Sequence, residues 1–124
     1  MIQSLLQVAL GGAIGATLRY LTNVGSRNLF GLGYPYGTLI VNILGSFLMG
    51  VLVVVLAKKG GNHLAHFLMT GVLGGFTTFS AFSLDTLTIW ERGEAFSAFL
   101  YVAASVVFSL AAIMAGLAFA RSLT

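Results

Sequence analysis

The chain has 124 residues, of which 58% are hydrophobic and 7% are charged, and its mean hydropathy is +1.00. This composition excludes a soluble domain and predicts one small integral membrane domain over residues 1–124. The absence of cysteine excludes disulfides, thiolate metal sites and cysteine nucleophiles. The net charge of +3 is too small and too scattered for a nucleic-acid-binding surface.

Residues 4–22 are predicted to form the first transmembrane span. Gly11 and Gly15 have the G-x-x-x-G spacing that lets helices approach closely in lipid, although such a short pattern also arises by chance in a glycine-rich chain. Arg19, near the far end, either snorkels to the interface or attracts anions to a pore mouth. Residues 23–36, which contain the only proline, are predicted to form a loop.

Residues 37–57 are uncharged and long enough to form the second span. Asn42 and Ser46 lie one turn apart within it. An asparagine in the middle of a bilayer is costly unless it is hydrogen-bonded or faces water. Its amide can donate to an anion or join two helices, and its position leaves both alternatives open. A short basic turn is predicted at residues 58–62.

The third span, residues 63–90, is predicted to be broken near residues 74–78. Gly74 and Gly75 each weaken a helix by roughly 1 kcal/mol relative to alanine. The threonines that follow, Thr77 and Thr78, prefer caps to helix interiors. We predict one half-helix that ends near the two glycines and a second that begins near the two threonines. Such a break either handles ions or is a kink for packing.

Two phenylalanines and one acid follow the predicted break. Phe79 and Phe82 share roughly one face if the second half-helix begins near Thr78. They either pack in the core or against lipid, or they present their electropositive ring edges to a desolvated anion. Asp85 is expected to pair with Arg19 or to cap local structure, because acids near membranes are usually paired.

The fourth span, residues 95–120, contains no charge and carries hydroxyl groups at every fourth position: Ser97, Tyr101, Ser105 and Ser109. Four residues turn a helix by about 400°, so these groups drift only about 40° per step along one face. The regular spacing favours a polar pathway over serines that merely pack against a neighbouring helix.

The basic residues are nearly balanced across the predicted membrane. One side holds Lys58, Lys59 and Arg121, and the other holds Arg27 and Arg92, with Arg19 if it snorkels outward. With so little bias, the positive-inside rule predicts insertion in both orientations. Both orientations together permit an antiparallel homodimer, which would also bury the polar stripe and the break that four short helices cannot bury alone.

Three stretches resemble a known family: G-G-A-I-G-A-T-L-R-Y at residues 11–20, G-T-L-I-V-N-I-L-G-S-F at 37–47 and G-V-L-G-G-F-T-T-F-S-A-F-S at 71–83. They resemble the bacterial Fluc (CrcB) fluoride channels, and the match covers essentially the whole chain. The resemblance implies an all-α, four-helix membrane protein with a broken third helix. It also implies a dual-topology homodimer in the bacterial inner membrane that exports fluoride passively.

The resemblance further implies roles for individual residues. A structural sodium ion is implied at the dimer centre, on backbone carbonyls that match Gly74 and Thr77. The implied fluoride pathway, with Ser80 added for its hydroxyl group, consists of Asn42, Phe79, Ser80, Phe82, Tyr101, Ser105 and Ser109. Arg19 matches an arginine near the pore entrance. The donors are weak and numerous, which suits an ion that must both enter and leave.

Two other classes of protein compete with the channel. A proton-driven, dual-topology small multidrug exporter needs an acid inside the membrane, and Asp85 is the only candidate. A non-transporting membrane subunit would carry no ions when purified. An enzyme is not expected, because the few polar residues offer no nucleophile–base set, metal-ligand cluster or phosphate loop.

Overall fold

The structure, a computed structural model, describes residues 1–59 and 61–124, and the side chains of all of these except residues 59, 61 and 62. The described residues form helices and connections, without a strand. The middle of the basic turn predicted at residues 58–62 lies outside the described residues. The helices bury small residues against one another, so the backbones lie close together.

Five α-helices follow one another in the described part of the chain: α1 (Ile2–Phe30), α2 (Tyr36–Lys59), α3 (Gly74–Phe76), α4 (Phe79–Glu91) and α5 (Ala95–Leu123). A 3-10 turn (Gly61–Leu64) and a π-helix (His66–Leu73) lie between α2 and α3. The π-helix runs directly into the single turn of α3.

Among the described residues, three helical stretches are long and apolar enough to cross a membrane: Tyr36–Lys58, His66–Glu91 and Ala95–Leu123. They match the second, third and fourth predicted spans. Helix α1 covers the first predicted span, residues 4–22, but it is not among the three. Gln3, Gln7 and Arg19 dilute its apolar stretch. The first span therefore remains a prediction.

The loop predicted at residues 23–36 is much shorter in the structure. Helix α1 continues to Phe30, so the prediction was wrong for residues 23–30. The polar residues of this stretch disfavour a helix only weakly, and the packing that buries Ser26 outweighs that preference. The helix ends at Gly31, whose φ of +84° lies in the left-handed region that glycine tolerates. Its N–H donates to the carbonyl oxygen of Arg27 at 2.9 Å.

Helix α1 packs against the π-helix and α3 through glycines. A side chain on Gly11 or Gly15 would overlap the carbonyl oxygens of Phe67 or Val72. In the same contact, a Cβ added to Gly75 of α3 would lie 2.8 Å from the carbonyl oxygen of Gly12 of α1. This contact confirms the close-approach interpretation of the G-x-x-x-G pair. It also corrects the role predicted for the glycines at 74 and 75, because the helix passes through both and ends at Phe76.

Helix α2 packs against α5 through a second pair of glycines. A side chain on Gly50 would overlap the carbonyl oxygen of Ile113, and one on Gly116 would overlap that of Phe47. A small buried cluster of Ile89, Ala98 and Tyr101 lies near the N-terminal end of α5, where it joins α4 to α5. These contacts place α2, α4 and α5 around a common space.

Candidate functional site

Two residues with extended backbone separate α3 from α4. Thr77 has φ −85° and ψ 159°, and Thr78 has φ −154° and ψ 123°. Thr78 is the N-cap of α4, and its Oγ1 accepts a hydrogen bond from the N–H of Ala81 at 3.1 Å. Thr77 Oγ1 donates to the carbonyl oxygen of Leu73 at 2.9 Å. We call Thr77 and Thr78 the interruption.

Side chains from α1 and α2 bind the backbone around the interruption. Asn42 Oδ1 accepts from the N–H of Thr78 at 2.8 Å, and Asn42 Nδ2 donates to the carbonyl oxygen of Thr78 at 3.0 Å. Arg19 Nε donates to the carbonyl oxygen of Gly75 at 2.9 Å. Asn42 therefore makes the interhelical hydrogen bond that was one of its two predicted alternatives. Arg19, on α1, is half-buried against the stretch His66–Glu91, which we call the third segment.

Two carbonyl groups at the interruption lose their helical donors. In a continuous helix Gly74 would accept from the N–H of Thr78, and Thr77 from that of Ala81. Those N–H groups bond instead to Asn42 Oδ1 and to Thr78 Oγ1. Carbonyl oxygens freed in this way suit a hard cation. Gly74 and Thr77 therefore fit the sodium ion that the resemblance implies, and the described residues contain no group of three acidic, histidine or cysteine side chains as a competing site.

A cavity of about 420 Å³ lies beside the interruption, between α2, α4 and α5. Six polar and two aromatic side chains line it: Asn42, Ser46, Thr77, Thr78, Ser105, Ser109, Phe79 and Phe82. The remaining lining residues are glycine and aliphatic residues, so no charged side chain lines the cavity within the described part of the chain. Ser105 Oγ is buried and has no hydrogen-bond partner among the described residues, which leaves it free for a ligand.

The rings of Phe79, Phe82 and Tyr101 form a row of contacts from this cavity to the N-terminal part of α5. Phe79 is 78% exposed, and its ring centroid lies 5.4 Å from that of Phe82. The Phe82 ring stacks on Tyr101 at 5.6 Å. The prediction that Phe79 and Phe82 share one face is confirmed.

Tyr101 lies between two cavities. Its ring contacts Phe82, which lines the first cavity, and the edge of Tyr34, which lines a second cavity of about 380 Å³. Its hydroxyl donates to Asp85 Oδ2 at 3.0 Å, and Asp85 also lines the second cavity. Of the two alternatives predicted for Asp85, pairing with Arg19 was wrong. Asp85 accepts from Tyr101, and Arg19 binds the Gly75 carbonyl.

The structure gathers most of the predicted pathway residues but not all of them. Asn42, Phe79, Phe82, Ser105 and Ser109 line the first cavity. Two others lie outside its lining: Ser80 Oγ is 3.2 Å from Thr78 Oγ1, and Tyr101 lies behind Phe82. Arg19, which was predicted at the pore entrance, binds the third segment from α1. Sequence reasoning missed Thr78 as the partner of Asn42, although the threonine pair at the break pointed to this position.

Replacing Thr78 by alanine is expected to destabilise the protein by about 1 kcal/mol, because the loss of an N-cap hydroxyl costs about 0.5–2 kcal/mol. Thr78→Ser keeps the hydroxyl and should retain most of the stability. Thermal unfolding of both variants in detergent measures the effect. Thr17→Ala is the matched control, because Thr17 Oγ1 bonds only its own helix, at the carbonyl of Ala13. An equal loss for Thr17→Ala would contradict the capping role.

The apolar helices and the uncharged cavity between them define a multi-pass membrane protein. A family model described as CrcB-like protein, Camphor Resistance (CrcB), matches residues 6–117, and the chain belongs to this family. The resemblance found in the sequence is therefore confirmed.

Curated relatives match over nearly their full length and are each named fluoride-specific ion channel FluC. The protein from Cereibacter sphaeroides is 69% identical over 121 residues, which cover 98% of this chain and 97% of the relative. The protein from Paracoccus denitrificans is 58% identical over 123 residues, with 99% and 98% covered. The protein from Mesorhizobium japonicum is 53% identical over 121 residues, with 97% and 98% covered.

Proposed function

We propose that this chain is a fluoride-selective ion channel that exports fluoride passively across the bacterial inner membrane and protects the cell from fluoride toxicity. The observation that carries the proposal is the 69% identity to a relative named fluoride-specific ion channel, over 98% of the chain. The cavity beside the interruption supports it, because its uncharged donors suit a small anion.

The proposed pathway uses hydroxyl, amide and phenyl groups. Fluoride is small and strongly hydrated, so a selective path replaces its water with many weak contacts. Phe79 and Phe82 offer electropositive ring edges, which attract an anion without trapping it as a fixed cation would. Ser105 and Ser109 continue the cavity along α5, and Tyr101 and Ser80 lie close to its aromatic wall. Arg19, bound to the third segment, is proposed to stand near the entrance.

The carbonyl oxygens of Gly74 and Thr77 are proposed to hold a structural sodium ion at the centre of a dimer. Their helical donors are used by Asn42 and Thr78, so both oxygens are available. When bound, the ion supplies a fixed positive charge that favours an anion nearby. The chain's own contribution is to present these two oxygens at a defined place, one on the first residue of α3 and one on the residue that follows its last.

A second, antiparallel copy is the proposed partner, with lipid around the outer faces. Phe79 is 78% exposed and the first cavity is open, so one chain alone leaves both uncovered. The near balance of basic residues permits insertion in both orientations. In such a dimer the interruption would lie in mid-membrane and be shielded from lipid, as non-helical backbone requires.

The exporter alternative has no support among these relatives. Within the described residues, α1, α2 and α5 carry no acidic side chain. Asp85 accepts a hydrogen bond from Tyr101.

Anion efflux from liposomes tests the channel. Purified protein should release fluoride rapidly from loaded vesicles while chloride is retained, without any proton gradient, because passive flow through the cavity needs no coupling. A fluoride electrode and a chloride electrode measure the two anions in matched vesicles. Folded protein that leaves fluoride inside, or that works only with a proton gradient, would contradict the proposal.

A further inference from the structure

We propose that Asn42 is a positioning residue that clamps the backbone of Thr78 and thereby fixes the interruption. The inference rests on the proposed channel function and deepens it. It differs from a role in which the Asn42 amide acts only as a donor to the passing anion. In the structure both polar atoms of that amide are already bound to Thr78.

The geometry is that of a two-point backbone clamp. Asn42 Oδ1 lies 2.8 Å from the Thr78 nitrogen, and Nδ2 lies 3.0 Å from the Thr78 carbonyl oxygen. An extended residue normally exchanges both of these bonds with a neighbouring strand. The described residues provide no strand: Asn42 is the partner of the Thr78 N–H, and the Thr78 carbonyl, at the N-cap, also begins the hydrogen bonding of α4. One side-chain amide from α2 takes the place of the strand.

The clamp controls groups on both sides of Thr78. Before it lies the Thr77 carbonyl, proposed as a sodium ligand, and after it lies the exposed ring of Phe79. Arg19 holds the chain upstream at the Gly75 carbonyl. The Thr77 carbonyl therefore lies between two anchored points, one on α1 and one on α2. Releasing Thr78 would displace the oxygen ligand and the aromatic wall together.

The amide also keeps one N–H that is not committed to Thr78. An asparagine NH₂ group has two donors, and only one is used here. Because Asn42 also lines the first cavity, the second N–H can face an anion. A test must therefore measure the backbone itself and not only the flux.

The experiment compares the wild-type dimer in lipid nanodiscs with three variants. Asn42→Ser stays polar but is too short to reach both atoms of Thr78. Asn42→Asp keeps an oxygen that can accept from the Thr78 N–H but loses the donor to its carbonyl. Thr17→Ala is the control, because Thr17 Oγ1 bonds only the carbonyl oxygen of Ala13 in its own helix and Thr17 lines neither cavity. Site-resolved hydrogen exchange follows the Thr78 amide, and fluoride efflux is measured across a series of sodium concentrations.

Asn42→Ser should speed exchange at Thr78 by about tenfold, whereas Asn42→Asp should stay near the wild-type rate because its acceptor remains. Both should raise the sodium concentration that gives half-maximal efflux, and Thr17→Ala should change neither quantity. Wild-type exchange at Thr78 in Asn42→Ser, or equal acceleration in Thr17→Ala, overturns the clamp.

Two further outcomes remain decisive. If Asn42→Ser gives no folded dimer, Asn42→Asp decides through its sodium dependence: a raised requirement supports the clamp and an unchanged one overturns it. If wild-type vesicles carry no fluoride, the proposed function fails, and the exchange of the Thr78 amide still decides whether Asn42 holds the interruption.

Discussion

Gly15→Ala is expected to remove most of the folded protein. The added Cβ would overlap the carbonyl oxygen of Val72 and lie 2.8 Å from the nitrogen of Phe76. Both obstacles are backbone atoms of the third segment, which cannot rotate away as a side chain can. Overpacking of this kind costs about 1–3 kcal/mol and sometimes more. Since α1 would have to move from the π-helix and α3, Arg19 would also lose its contact with Gly75.

Gly12→Ala is the matched control on the same helix. Its Cβ would meet no atom within 4 Å, so the space is open. Alanine is favoured over glycine in a helix by up to about 1 kcal/mol, so this variant should be as stable as the wild type or slightly more stable. Size-exclusion profiles and melting temperatures in detergent measure both proteins. Equal behaviour of the two variants would contradict the close approach of α1 to the third segment.

The third segment shows how far local sequence chemistry reaches. Helix α4 begins at Phe79 with Thr78 as its N-cap, and the threonine pair pointed to this cap because a hydroxyl N-cap is a local preference. The adjacent glycines were misread as a stop signal. A glycine serves equally as a helix terminator and as a contact surface, and only the position of α1 distinguishes the two. The same limit applies to residues 23–30, whose polar composition hid a continuing helix.

The partners of the polar residues were harder to predict than their importance. Asn42 and Thr78 are 36 residues apart, and Asp85 and Tyr101 are 16 apart. No periodicity links such pairs, because the packing of different helices brings them together. Asn42 was recognised as costly unless it was bonded, and Asp85 as needing a partner. The sequence thus identified the residues under constraint, whereas the structure was needed to show what satisfies each.

Phe82→Ile is expected to lower fluoride efflux about tenfold or more in the liposome assay while the dimer persists. Aromatic contacts are worth about 0.5–1.5 kcal/mol beyond the area they bury, and about 1.4 kcal/mol changes a rate tenfold. Isoleucine keeps an apolar side chain but has no ring edge for an anion. It also removes the stack on Tyr101 at 5.6 Å, which joins the first cavity to the second.

Phe79→Ile should lower the efflux less than Phe82→Ile does. Among the aromatic rings of the described residues, Phe79 pairs only with Phe82, at 5.4 Å, whereas Phe82 pairs with both Phe79 and Tyr101. Phe99→Ile is the control for the loss of a ring, because Phe99 is 66% exposed on α5 and lines neither cavity. Its efflux should match the wild type. Undiminished efflux in Phe82→Ile, with the dimer intact, would exclude the ring edges from the pathway and leave the hydroxyl and amide groups of the cavity as its remaining donors.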